Sequence, residues 1–114
     1  MAKQEKAKNK AADHLRCKNR AGIFKALAHP TRMCIVEALA QREHCVNELV
    51  ELVGDDPSTI SKHLTIMKAA GVVNNDRRGT SVFYSLKMQC VPGFMACIDK
   101  AIVQSAREQL GAAG

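Results

Sequence analysis

Apolar positions along the chain follow two periods, and the change between them divides it. From Ala11 to Ala28, Leu15, Ile23, Phe24 and Leu27, with Ala21, Ala26 and Ala28 as good helix formers, predict a first helix that Gly22 weakens. His29-Pro30 interrupts it, because proline disfavours helix in the residue before it and suits the first turn of the helix after it. A second helix follows over Pro30–Ala40, where Met33, Val36, Leu39 and Ala40, with Ile35 alongside, form a stripe at three- and four-residue spacing. The polar stretch Gln41–His44 separates it from a short helix, Val46–Val53, with Val46, Leu49, Val50 and Val53 on one side. Gly54-Asp55-Asp56 ends that helix. Pro57 opens the next, with Asp56 as N-cap, Ile60, Leu64, Met67 and Ala70 as the inner face and Gly71 as the stop.

Beyond Gly71, Val72-Val73 begins an extended segment, Asp76–Gly79 reads as a turn, and Thr80–Leu86 is rich in strand formers, so a β-hairpin is expected. Pro92 marks a last helix reaching about Leu110, with Phe94, Ile98, Ala101, Ile102 and Ser105 on one face. The fold class expected is mainly α with a β-hairpin wing, a dimeric winged helix-turn-helix. Its two short helices, joined by a tight turn, present the second to the DNA major groove. A single domain is expected over 11–110, behind a flexible basic tail over 1–10.

Length and composition narrow this picture. With 114 residues and 12.4 kDa the chain holds one domain, and 46% apolar with 25% charged residues excludes wholesale disorder and fibrous repeats. No apolar run approaches the ~18–20 residues of a membrane helix, and MAKQEKAKNK carries no secretory core. The expectation is a cytoplasmic protein without a membrane partner. The net charge of +6 is unevenly placed: residues 1–20 hold seven Lys/Arg against Glu5 and Asp13, and the remainder holds ten against nine. Charge alone is therefore weak support for a nucleic-acid partner.

Side-chain chemistry is more informative. On the Pro57–Ala70 helix the outward Ser58, Thr59, Ser61, Lys62 and Thr65 are short hydroxyls plus a cation, which let a helix backbone sink into a groove about 12 Å wide. His63 joins this DNA-binding set as a phosphate contact or a packing residue rather than a metal ligand. Arg77 and Arg78, at the hairpin tip, are placed to reach the flanking minor groove and backbone. One such domain offers little surface for tight specific binding, so a homodimer is expected. Its candidate contacts are Leu15, Ile23 and Phe24 on the first helix and Phe94, Ile98 and Ile102 on the last.

The runs FKALAHPTRMCIVEAL, DPSTISKHLTIMKAAGVV and RRGTSVFYSL resemble the ArsR/SmtB family of dimeric metal- and thiol-sensing repressors, over roughly Ile23 to Leu86. The resemblance implies a winged helix-turn-helix, a double-stranded DNA operator and pairing through the first and last helices. Two departures matter. Asp56-Pro57 stands where family members that read DNA usually carry Ser-Gln, which removes a bidentate adenine reader while Ser58, Ser61, His63 and Leu64 remain. Glu43–Leu49 resembles the family's sensing box, Glu-Leu-Cys-Val-Cys-Asp-Leu. Cys45 matches its first cysteine, but Asn47 replaces the second.

The five cysteines, Cys17, Cys34, Cys45, Cys90 and Cys97, are odd in number and irregular in spacing, so free thiols are expected rather than a disulfide framework. Cys45, at a helix start beside His44, favours a reactive thiolate. By resemblance Cys90 falls near an early ligand of the family's zinc sensors, but Met88 replaces a carboxylate and no His or Glu follows, so a zinc site is disfavoured. In a continuous helix Cys90 and Cys97 would stand about 10 Å apart, too far to share an ion. If Cys90 instead precedes the helix, the approach could fold the two thiols together. Cys45 or a partner subunit's cysteine would then complete a three-sulfur site for arsenite, As(III), or another soft thiophilic ion.

The candidate metal ligands are thus Cys90, Cys97 and Cys45, in that order, with no obligatory cofactor. Cys17, three residues after His14, and Cys34 read as incidental. The function expected is a DNA-binding repressor released by arsenite. The alternative is a persulfide or redox sensor of the same family using a cysteine pair. A thiol-dependent enzyme built on Cys45 and His44 is disfavoured, since neighbouring side chains at a helix start diverge and no Asp or Asn orients the His. A helical interaction module without DNA activity would leave Arg77 and Arg78 unexplained.

Overall fold

The computed structural model describes the backbone of residues 2–113 and the side chains of residues 9–111. The elements run α1 (Ala2–Leu27), α2 (Pro30–Gln41), β1 (His44–Cys45), α3 (Val46–Val53), α4 (Pro57–Ala69), β2 (Val73–Arg78), β3 (Ser81–Leu86) and α5 (Val91–Ala113). Helix α1 thus continues through residues 2–10, the stretch expected as a tail; Met1 lies outside the described residues.

Helix α2 is the central element, packing against α1, α3, α4, α5 and β3. Because it is covered on several sides, its adjacent Ile35 and Val36 are both fully buried with Leu39, while Ala40, expected on the inner stripe, is exposed. Leu49 of α3, Ile60, Leu64 and Met67 of α4, Val72, Val73, Leu86 and Val91 complete the core. Each such large side chain withdrawn from water contributes about 1.5–3 kcal/mol.

The sheet has the order β1-β3-β2. Register runs from Val73↔Leu86 to Arg78↔Ser81, leaving a two-residue loop, Gly79-Thr80, with Gly79 at φ +64° as the first position of such a loop favours. The turn expected at Asp76–Gly79 therefore lies further on, and Arg77 and Arg78 belong to the paired end of β2. Strand β1 pairs His44 with Tyr84 and Cys45 with Phe83. Two residues are too few to show a period, so this strand had no sequence signal.

Helices α1 and α5 project from the core. The radius of gyration is 18.7 Å, against about 13 Å for a compact domain of this length. Phe24 and Phe94, with ring centroids 5.7 Å apart, join the two helices near the core, whereas Leu15, Ile98, Ile102, Val103 and Leu110 are exposed further out.

Candidate nucleic-acid interface

The turn Gly54-Asp55-Asp56 is built from both ends. Gly54, at φ +87°, closes α3 with its N–H on the Val50 carbonyl, and Asp55 accepts a hydrogen bond from the Thr31 hydroxyl at the start of α2 (3.1 Å). Asp56 then caps α4: its carboxylate accepts the Thr59 N–H (3.0 Å) and the Ser58 and Thr59 hydroxyls (2.7 Å each). These bonds, that from the Thr59 hydroxyl foremost, hold the Asp56 carboxyl far below the usual carboxylate range. With their hydrogens spent on Asp56, the Ser58 and Thr59 oxygens can only accept from an outside group. Thr65 likewise donates to the Ser61 carbonyl (2.9 Å). Ser61, Lys62 and Thr65 are exposed on the side opposite Ile60, Leu64 and Met67, and Lys62 has no ion-pair partner among the described residues.

His63 leaves the DNA-facing set. It is buried, because it follows Ile60 by three residues and falls on the same inner stripe as Leu64 and Met67. Its Nδ1 accepts a hydrogen bond from Arg32 Nε (2.9 Å), and its ring lies 4.4 Å from that of His29. Burial lowers its pKa first, followed by electrostatic contributions from His29 and Arg32, with Asp55 opposing.

The wing is also less basic than expected. Arg78 donates to both carboxylate oxygens of Glu43 (2.5 and 2.9 Å) and to Asp76 (3.1 Å), and its guanidinium lies 4.7 Å from the centroid of the Phe83 ring. The Glu43 carboxyl is lowered in turn, chiefly by that hydrogen bond from Arg78. Two carboxylates therefore offset the charge of Arg78 and take up three of its five donors, which argues against a free DNA contact. Neighbours on a strand face opposite sides, so Arg77 points away from this cluster; it is exposed, with no ion-pair partner among the described residues.

Cys45 is half-buried at the N-cap of α3, where its N–H donates to Glu48 (3.5 Å). Glu48 also holds Arg42 (2.8 Å) and buried His44 (3.0 Å); the bond with His44 first, then those from Arg42 and Cys45, push its carboxyl down to about 2. His44 is thus oriented by Glu48 rather than toward the neighbouring thiol. Cys17, Cys34, Cys90 and Cys97 are exposed free thiols. The Cys90 carbonyl accepts from the Phe94 N–H, so Cys90 is continuous with α5 and stays about 10 Å from Cys97 along the helix axis. The folded-together pair is not formed. Among the described residues, no three His, Cys, Asp or Glu side chains converge to hold an ion, so Cys90, Cys97 and Cys45 do not meet within one chain. Sequence reasoning missed Arg32, His29 and Glu43, because no local spacing or charge pattern points to partners this far along the chain.

Two short helices around a capped turn, backed by a hairpin, define the winged helix-turn-helix class of DNA-binding regulators. A profile described as bacterial regulatory protein, arsR family, matches residues 29–75. The chain belongs to this family, since it is 35% identical over 88 residues to the uncharacterized HTH-type transcriptional regulator Rv0081 of Mycobacterium tuberculosis, covering 76% of this chain and 77% of that one. The crystal structure of Rv0081 matches with a TM-score of 0.73 and 33% identity, over 82% of this chain and 94% of the other. A winged helix-turn-helix DNA-binding domain from Mycobacterium bovis, described as homodimeric, matches with a TM-score of 0.73 and 26% identity, over 84% and 89%. The HTH-type transcriptional repressor SmtB of M. tuberculosis is 44% identical over 64 residues, which is 56% of this chain and 47% of SmtB; the chain thus spans about half of that relative. These relatives are regulators, not enzymes. Among the described residues, no helix is long and apolar enough to cross a membrane.

Proposed function

We propose that this chain is a homodimeric transcriptional repressor that reads an operator through α4. The observation that carries this reading is the two-sided character of α4, with Ser61, Lys62 and Thr65 outward and Ile60, Leu64 and Met67 anchored in the core. The exposed apolar residues of α1 and α5 would form the dimer contact, which brings two copies of α4 to half-sites about one helical turn apart. The inducer would be a soft thiophile, arsenite first, with Cys90 and Cys97 as candidate ligands that stand too far apart within one chain to share an ion. Because no three ligands converge among the described residues of one chain, each thiol's donor set would be assembled across the dimer by partner cysteines, or by Cys45 after rearrangement. Release follows if the inducer binds the low-affinity conformation better. A second reading, oxidation or persulfidation of an exposed thiol pair, is favoured by four exposed thiols that show no ion-binding geometry.

Fluorescence anisotropy of fully reduced protein on duplex DNA from upstream of its own gene tests this. Binding that arsenite reverses in the presence of reductant, with the reversal abolished in Cys90→Ser or Cys97→Ser, is expected. Binding that ignores arsenite but collapses with persulfide would move the inducer to the second reading. Absence of binding would overturn the repressor reading.

A further inference from the structure

The buried histidine on α4 lies off the face proposed to read DNA, and its surroundings suggest what it does. Arg32 of α2 donates Nε to His63 Nδ1 (2.9 Å), and Nη1 to the carbonyls of Ala26 (3.2 Å) and Lys25 (3.5 Å) at the end of α1. One guanidinium therefore ties the helix proposed to read DNA to the helix proposed to dimerise. We infer that the neutral His63 ring, held by Arg32, is the positioning residue that sets α4 against α1, and that its protonation weakens operator binding. This rests on the repressor reading above.

The geometry favours one protonation state. Nδ1 accepts from a permanent cation, so the neutral ring carries its proton on Nε2. A second proton, on Nδ1, would place a donor against a donor and a cation against a cation at hydrogen-bond distance. The charged or titratable groups facing the ring are Arg32 from α2, His29 from the α1–α2 junction, 4.4 Å between centroids, and Asp55 from the α3–α4 turn. Helix α1 contributes backbone carbonyls to Arg32, and β2 contributes the apolar Val73 to this core. Of the three, only Asp55 favours the charged ring, and it is engaged by Thr31. His29 is itself engaged, its Nδ1 accepting the Thr31 N–H (3.1 Å) as the cap of α2. Relief of the clash requires Arg32 to leave or α4 to move, and either changes the placement of the two reading helices in a dimer.

The sign is diagnostic. Acid adds positive charge, which by itself tightens binding to DNA; this device predicts weaker binding instead. The experiment uses the whole 114-residue chain on a duplex selected from random sequence at pH 7.5, with anisotropy titrations at pH 7.5 and 5.5 and circular dichroism to verify folding. Wild-type affinity should fall about tenfold at the lower pH, within the range of ordinary couplings. His63→Gln, whose amide oxygen can still accept from Arg32 but cannot titrate, should bind at pH 7.5 and lose that dependence. His29→Asn, which keeps a capping side chain, should retain it. By reciprocity, NMR titration of the wild-type imidazole should show DNA lowering the pKa of His63.

Wild-type affinity that is flat or rises on acidification would overturn the inference. So would an unchanged fall in His63→Gln, or a His63 titration indifferent to DNA, which decides the matter even if the variant does not fold. Those results leave the repressor reading standing, whereas failure to select any duplex at pH 7.5 overturns both.

Discussion

At the scale of single residues, hydrogen-bond commitment separates side chains that share a chemical type. Arg77 and Arg78 are neighbours, yet Arg78 is held by Glu43 and Asp76 while Arg77 has no ion-pair partner among the described residues. If Arg77 meets a phosphate, Arg77→Ala should flatten the slope of log affinity against log salt by about 0.9 for each phosphate that is no longer neutralised. Arg78→Ala should change that slope less, since its charge is already compensated; equal effects would mean that Arg78 leaves Glu43 on the operator. Glu48 makes a different prediction. Its carboxyl is lowered from 4.5 to about 2 in the folded chain, so its share of stability is present above pH 4.5 and is lost as pH falls toward 2. Thermal melts between pH 7 and 2 should therefore show a shallower acid loss in Glu48→Gln than in the wild type, with the two converging at the acid end.

At the scale of elements, α4 is positioned by both its faces. Ile60, Leu64 and Met67 are fully buried, and Ile60→Ala should cost about 2–5 kcal/mol in denaturant unfolding. Because these three side chains anchor α4 in the core, such a loss should weaken DNA binding even at temperatures where the variant stays folded. The helices themselves were legible: Pro30, Pro57 and Pro92 all stand in first turns, and Gly54 and Gly71 stand at helix ends. Less legible was the inner face of α4, where the sequence left His63 between a phosphate contact and a packing residue, and burial decides for packing. A histidine at helical spacing from Ile60 and Met67 belongs to the buried stripe once an arginine from another helix satisfies it. The wing differed for a related reason, since a charged stretch beside glycine reads as a turn when the pairing partner is unseen.

At the scale of the whole molecule, the exposed apolar residues of α1 and α5 are the largest unmet demand of the fold. Leu15, Phe24, Ile98, Ile102 and Leu110 remain largely in contact with water in a single chain. Ile98→Glu should shift the protein toward monomer in sedimentation velocity and reduce operator affinity at protein concentrations where the wild type is dimeric. A variant that remains dimeric with full affinity would place the interface elsewhere. The same two helices carry most of the exposed thiols, Cys17 on α1 and Cys97 on α5 with Cys90 at its start, so assembly and thiol chemistry are to be sought on one surface.

The sequence alone determined the order of elements, the hairpin, most of the core and the family motifs, because these follow from local spacing: helical and strand periods, proline at helix starts and glycine at helix ends. It also exposed the chain's departures at Asp56-Pro57 and Asn47. Tertiary structure decided which charged and polar side chains are spent on one another. Arg32 with His63, and Arg78 with Glu43, meet only after the chain has folded, across 31 and 35 residues. Hydrogen bonds between distant segments leave no period in the sequence, so a residue's type stated what it could do, and its partners decided what it is free to do.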